Sequence, residues 1–111
     1  MIEINGVSLD VRANDADFLD VYAKAARRMQ DDATAIPEDD LAASVRYQVK
    51  CIRDFFDAVF GKDTGKKVIP KDDMIAAFGA TEAVAIEVMR QRDELQERLQ
   101  RYMPRRLTVV Q

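Results

Sequence analysis

Histidine is absent from this chain, and Cys51 is its only cysteine. Without imidazole there is no Ser-His-Asp triad and no Cys-His dyad, and most zinc sites lose their usual ligands. One thiol cannot close an intramolecular disulfide, so nothing calls for an oxidising compartment. No apolar run reaches the ~18–20 residues that a membrane-spanning helix needs; the least charged stretch, Met74 to Ile86, is broken by Gly79 and Glu82. The start, Met1-Ile2-Glu3-Ile4-Asn5-Gly6, has neither the basic nor the apolar region of a signal peptide. A cytoplasmic protein without a membrane partner is expected. An excess of positive charge is also missing: 17 Lys+Arg stand against 20 Asp+Glu, a net charge of −3. A general nucleic-acid binder needs a basic footprint, so nucleic acid is not the expected partner.

What is present is ordinary globular composition, with 48% hydrophobic and 33% charged residues over 111 positions. That length suits one domain, residues 1–111, with a modest core. The expected fold is mainly α: an N-terminal β-hairpin (1–13), then a helical body (14–104) forming a three-helix bundle with a long C-terminal helix, and a tail (105–111).

Residues 2–11 alternate apolar and polar around Asn5-Gly6. Asn-Gly is the preferred pair for a type I′ turn, because both central residues need positive φ. Strands are expected near 2–4 and 7–11. A two-stranded ribbon is barely stable alone, so it must lie on the helices or pair with another subunit. Asn14 and Asp15 then supply an N-cap for a helix over about 15–32, whose apolar face is Phe18, Val21, Tyr22, Ala25 and Met29. Ile36-Pro37 interrupts the chain, and a second helix is expected over about 38–60 with Leu41, Val45, Val49, Ile52, Phe55, Phe56, Val59 and Phe60 inward. Gly61 reads as its left-handed C-cap. Residues 61–71 read as a basic surface loop. Asp72 and Asp73 then cap a helix over about 72–102, with a face of Ile75, Phe78, Ala85, Val88, Met89, Leu95, Leu99 and Tyr102, stopped by Pro104.

That last helix is long for so small a domain. Thirty-odd residues at ~1.5 Å each give roughly 45 Å, against a radius of gyration of ~13 Å for a compact domain of this size. Either it bends at Gly79 or its C-terminal half projects. A projecting amphipathic helix usually has a partner, which makes Val88, Leu95, Leu99 and Tyr102 the candidate partner-binding residues; the alternative is that the helix folds back on the second helix and these side chains are packing alone. Self-association through the hairpin edge or this helix is expected.

Chemistry-bearing motifs are weak. Gly61-Lys62-Asp63-Thr64-Gly65-Lys66-Lys67 resembles a phosphate loop in composition only: one residue is missing between the glycines, Lys67 replaces the hydroxyl, and a helix precedes it. The Asp pairs lack the Gly and Glu of a calcium loop, and three of the four acidic clusters sit where helix starts want negative charge. Cys51 lies beside the apolar face of the second helix, the setting of an inert thiol. No catalytic, cofactor-binding or metal-binding residue is expected, and the chain reads as a non-enzyme. Charge instead alternates by segment: −6 over 1–40, +4 over 41–71, −5 over 72–97 and +4 over 98–111, a pattern able to steer association between complementary surfaces.

The run Asp54-Phe55-Phe56-Asp57-Ala58-Val59-Phe60-Gly61, with the Thr/Gly/Lys loop after it, resembles small proteins encoded in phages and prophages of Gram-positive bacteria. The opening Ile2-Glu3-Ile4-Asn5-Gly6-Val7 and the helix start Ile75-Ala76-Ala77-Phe78 extend the likeness over about 2–90. The resemblance implies a role like that of tail assembly chaperones, which keep tail components soluble before polymerisation. A phage tail component is then the implied protein partner, with Tyr22, Met29, Phe55, Phe56, Phe60, Phe78 and Met89 as the reservoir of apolar surface. The alternative is a small helical regulatory or DNA-associated protein using the basic loop and C-terminal tail.

Overall fold

The computed structural model describes residues 1–33 and 40–102. The protein is mainly helical: strands β1 (Ile2–Ile4) and β2 (Val7–Leu9) precede helices α1 (Ala16–Ala33), α2 (Leu41–Phe60), α3 (Thr64–Val68) and α4 (Met74–Tyr102). The hairpin has the expected turn. Asn5 and Gly6 stand at φ 51° and 78°, and the antiparallel register pairs Ile2 with Leu9 and Ile4 with Val7. These four side chains share one face of the ribbon. They lie on the core, Leu9 being fully buried and the other three half-buried against it. The second strand ends at Leu9, two residues short of the expected end, because Val11 and Ala13 leave the ladder to follow α4.

Short carboxylates open the helices. Asp15 accepts from the Asp17 and Phe18 N–H groups, Asp40 from Ala42 and Ala43, and Asp73 from Ile75 and Ala76. Each satisfies orphan donors of a first turn, the reason aspartate is favoured there. Helix α2 is the central element, with α1, α3 and α4 packed on it. Its Val49, Ile52, Phe55 and Phe56 are buried with Ala25 of α1, Val68 and Ile69, and Ala77, Ala80 and Val84 of α4. The aromatic rings join at their edges and faces: Phe55–Phe56 at 5.4 Å, Phe56–Phe60 at 5.9 Å and Tyr22–Phe55 at 5.8 Å between centroids.

Several expectations need correction. Residues 61–71 are not simply a surface loop. They contain α3, and Gly65, Val68 and Ile69 are buried while Lys66 and Lys67 stay outside. Asp57 accepts from the Gly65 N–H at 2.7 Å, and Arg53 donates to the Ile69 carbonyl and to Asp72, both at 2.8 Å. The glycine amide that a phosphate would seek is thus already committed to a carboxylate. Gly61 does end α2 with positive φ, but at φ 117°, ψ 161°, extended rather than left-handed helical. Leu41 and Val21, assigned to inner faces, are exposed. Ile36 and Pro37, and the tail with its Pro104 stop, fall outside the described residues.

The apolar face of α4 is also rephased over its first half. Ile75, Phe78 and Met89 are 80%, 56% and 62% exposed, whereas Ala77, Ala80 and Val84 are buried. Small residues win the inner face because α4 lies close against α2, where a bulkier side chain would hold the two backbones apart. The molecule measures 56 × 31 × 21 Å with a radius of gyration of 16.9 Å, well beyond the ~13 Å of a compact domain this size. The excess belongs to α4, whose 29 residues run as one helix past the body.

Candidate protein-binding site on the last helix

The root of the projection is set by one glutamine. Gln91 accepts from the Ala13 N–H through Oε1 and donates to the Val11 carbonyl through Nε2, both at 2.8 Å. Its planar amide thus pairs with the peptide backbone as a neighbouring strand would. It fastens the buried Val11–Ala13 segment to α4. Gln91 Nε2 also donates to Glu87 at 2.7 Å. Arg90 grips the same carboxylate with two hydrogen bonds, 2.9 Å from Nε and 2.8 Å from Nη2. Glu94 carries the chain of charges on, accepting from Arg90 at 3.2 Å and Arg98 at 3.4 Å. Glu97 and Arg101, also four apart, pair at 3.3 Å. Exposed pairs of this kind add only ~0.3–0.5 kcal/mol each.

Glu87 differs from those pairs because its side chain is only 10% exposed. The Arg90 hydrogen bonds, and then that of Gln91, lower its pKa to about 2 against the opposing effect of burial. A depressed carboxyl pKa stabilises the fold fully above the unfolded value of ~4.3, and that stability is lost as pH falls through about 2. Glu87→Gln is expected to cost about 1–2 kcal/mol at neutral pH, reduced from a fully buried pair because Arg90 faces water. Urea midpoints at pH 7 and pH 2.5 check this: the gap between wild type and variant narrows in acid. An equal gap at both values would contradict it.

Beyond Gln91, every residue from 92 to 102 is exposed. Within this stretch Leu95, Leu99 and Tyr102 follow Val84 and Val88 at helical steps, so they continue the buried side of α4 past the point where the body ends. Val88 packs against the core, while Leu95, Leu99 and Tyr102 are 37%, 40% and 75% exposed. Of the four candidate residues, the structure therefore brings three together on the free arm and makes the fourth their anchor in the body. Phe55 and Phe56, offered as partner-binding reservoir, are core, and Tyr22, Met29 and Phe60 pack against it. Phe78 and Met89 remain at the surface. Gln91 and Glu87 were not anticipated. For Gln91 the signal is a polar residue standing where the apolar spacing between Val88 and Leu95 asks for a hydrophobic one; Glu87, just before Val88, carries no such signal.

A second apolar feature lies at the other end of α4. Met29 and Ala33 of α1, Cys51 and Ile52 of α2, and Phe78 and Thr81 of α4 line an open, almost wholly apolar groove of about 230 Å³. Burial pushes the Cys51 thiol up, away from the reactive thiolate. Among the described residues no group of three or more acidic or cysteine side chains is placed to hold a metal ion. No helix among them is long and apolar enough to cross a membrane.

Residues 5–108 match the model of a family of unknown function, DUF6673. No curated protein and no solved structure matches the chain. With nearly its whole length covered, the chain belongs to the DUF6673 family.

Proposed function

We propose that this is a non-enzymatic, cytoplasmic protein-binding module, similar in role to phage tail assembly chaperones, that shields an apolar segment of another polypeptide along the outer end of α4. The observation that supports the reading is the continuity of the seam: Leu95, Leu99 and Tyr102 extend the line of Val84 and Val88 out of the body and stay exposed. Ordinary surface residues have no reason to keep that line. Three aligned apolar side chains on a helix offer the anchors that helix-in-groove and helix-pairing recognition use. The client implied by the resemblance is a phage tail component.

Co-expression with phage tail proteins, followed by co-purification, tests the reading. The wild type is expected to retain one client. Leu95→Glu/Leu99→Glu is expected to lose it at least tenfold while keeping its helical circular dichroism, because charges placed in an apolar contact cost several kcal/mol. Retention unaffected by the double substitution would overturn the reading. Salt-dependent binding to duplex DNA, equally indifferent to those residues, would replace it with the DNA-associated alternative.

A further inference from the structure

We infer that the arm is covered, in the absence of a client, by a second copy of this chain, α4 pairing antiparallel with α4, an inference that rests on the reading of the arm as a docking surface. The spacing along α4 carries it. From Phe78 to Tyr102 the positions 78, 81, 85, 88, 92, 95, 99 and 102 keep the three- and four-residue steps of paired helices, and all but Thr81 and Arg92 are apolar. Antiparallel pairing about a twofold axis beside Arg90 sets Phe78 against Tyr102 of the second copy. Thr81 then meets Leu99 and Ala85 meets Leu95. Bulk and space alternate across these layers: the body half of α4 offers the small Thr81 and Ala85, and the arm half brings the large leucines.

The groove completes the fit. Phe78 and Thr81 line the apolar groove together with Met29 and Ala33, so the tip of the second copy's arm arrives where an apolar recess is open. Charge agrees. The arm tip brings Arg98 and Arg101, each also paired with a glutamate one turn earlier, to the end of the body that carries Glu82 and the last turn of α1, where Asp31 and Asp32 stand and Arg28 reaches Asp32 at 3.8 Å. The innermost layer places Arg92 beside Val88 of the second copy. A charged residue in one layer fixes register at a cost in affinity, so the pairing is reversible and a client competes for the same arm.

Light scattering across a concentration series is expected to give twice the 12.6 kDa of one chain, falling to one chain on dilution. Ala85→Glu, on the body side and outside the arm, is expected to abolish the dimer as completely as Leu95→Glu/Leu99→Glu does, yet to leave client binding intact. Spin labels at Arg101→Cys, in a Cys51→Ala background, are expected about 35 Å apart or more, because at ~1.5 Å per residue each label lies ~16 Å from the axis; a parallel pair would bring them within ~20 Å. A monomer at every concentration overturns the inference, as does a dimer that survives Ala85→Glu or shows the short separation. If in that case Leu95→Glu/Leu99→Glu still loses the client, the arm remains a docking surface and only the second copy is removed from it.

Discussion

Phe56→Ala is expected to lower the unfolding free energy by about 3–5 kcal/mol, the largest effect of any single truncation among the described residues. Phe56 is fully buried on α2, its ring between those of Phe55 and Phe60. Removing it forfeits the transfer energy of the ring and leaves a hole that α2, held on several sides by other elements, cannot close. A domain of about 100 residues has only ~5–15 kcal/mol in total, so the variant is expected to be partly unfolded at physiological temperature. Urea titration followed by circular dichroism measures the loss, with an unchanged slope showing that the midpoint alone moved. Phe78→Ala is the matched control. The same chemistry at a 56% exposed site is expected to cost under ~1 kcal/mol, and parity between the two variants would overturn the account of the core.

Gly65→Ala comes next, and its direction runs against helix propensity. Alanine is favoured over glycine inside a helix by about 1 kcal/mol, yet here it is expected to destabilise. A Cβ on Gly65 would meet the backbone of Arg53, 2.6 Å from its Cα and 2.8 Å from its carbonyl carbon, and would also clash with the carbonyl oxygen. These are main-chain atoms of α2, so no rotamer change relieves the overlap. Helix α3 must lift off, loosening Val68 and Ile69 from the core and straining the Asp57 bond to the Gly65 N–H. A net loss of about 2–3 kcal/mol is expected, the upper range for overpacking. Thermal melting is the check; a raised Tm would mean that α3 has room the packing denies it.

Much of the fold was legible because its signals are local. Asn5-Gly6 demands positive φ wherever it falls, and Asp15 and Asp73 cap the turns that follow them regardless of what packs nearby, whereas the second helix was expected from about 38 and begins at Leu41, after its cap Asp40. Choosing which face of α4 turns inward was beyond such signals. Ile75 and Phe78 are more hydrophobic than Ala77 and Ala80, but closeness of approach to α2 selects the alanines, and that distance is a tertiary quantity. The buried half of residues 61–71 escaped for a related reason. Lysines at Lys62, Lys66 and Lys67 dominate its composition, while its burial depends on Gly65 meeting Arg53, a neighbour twelve positions away. On the arm, Leu95, Leu99 and Tyr102 could be read because nothing competes there with helical spacing. Gln91 could not, because its two backbone partners lie near the other end of the chain.

That glutamine has a consequence for the order of assembly. Its bonds to Ala13 and Val11 join positions separated by 78 and 80 residues, whereas the helices and the hairpin close over a few residues each. Joining distant segments costs more chain entropy than any local turn, so the N-terminal strand pair docks late, onto a helix already made. In a native-state hydrogen-exchange experiment, the Ala13 amide is therefore the one to release its proton while the amides of α2 still hold theirs.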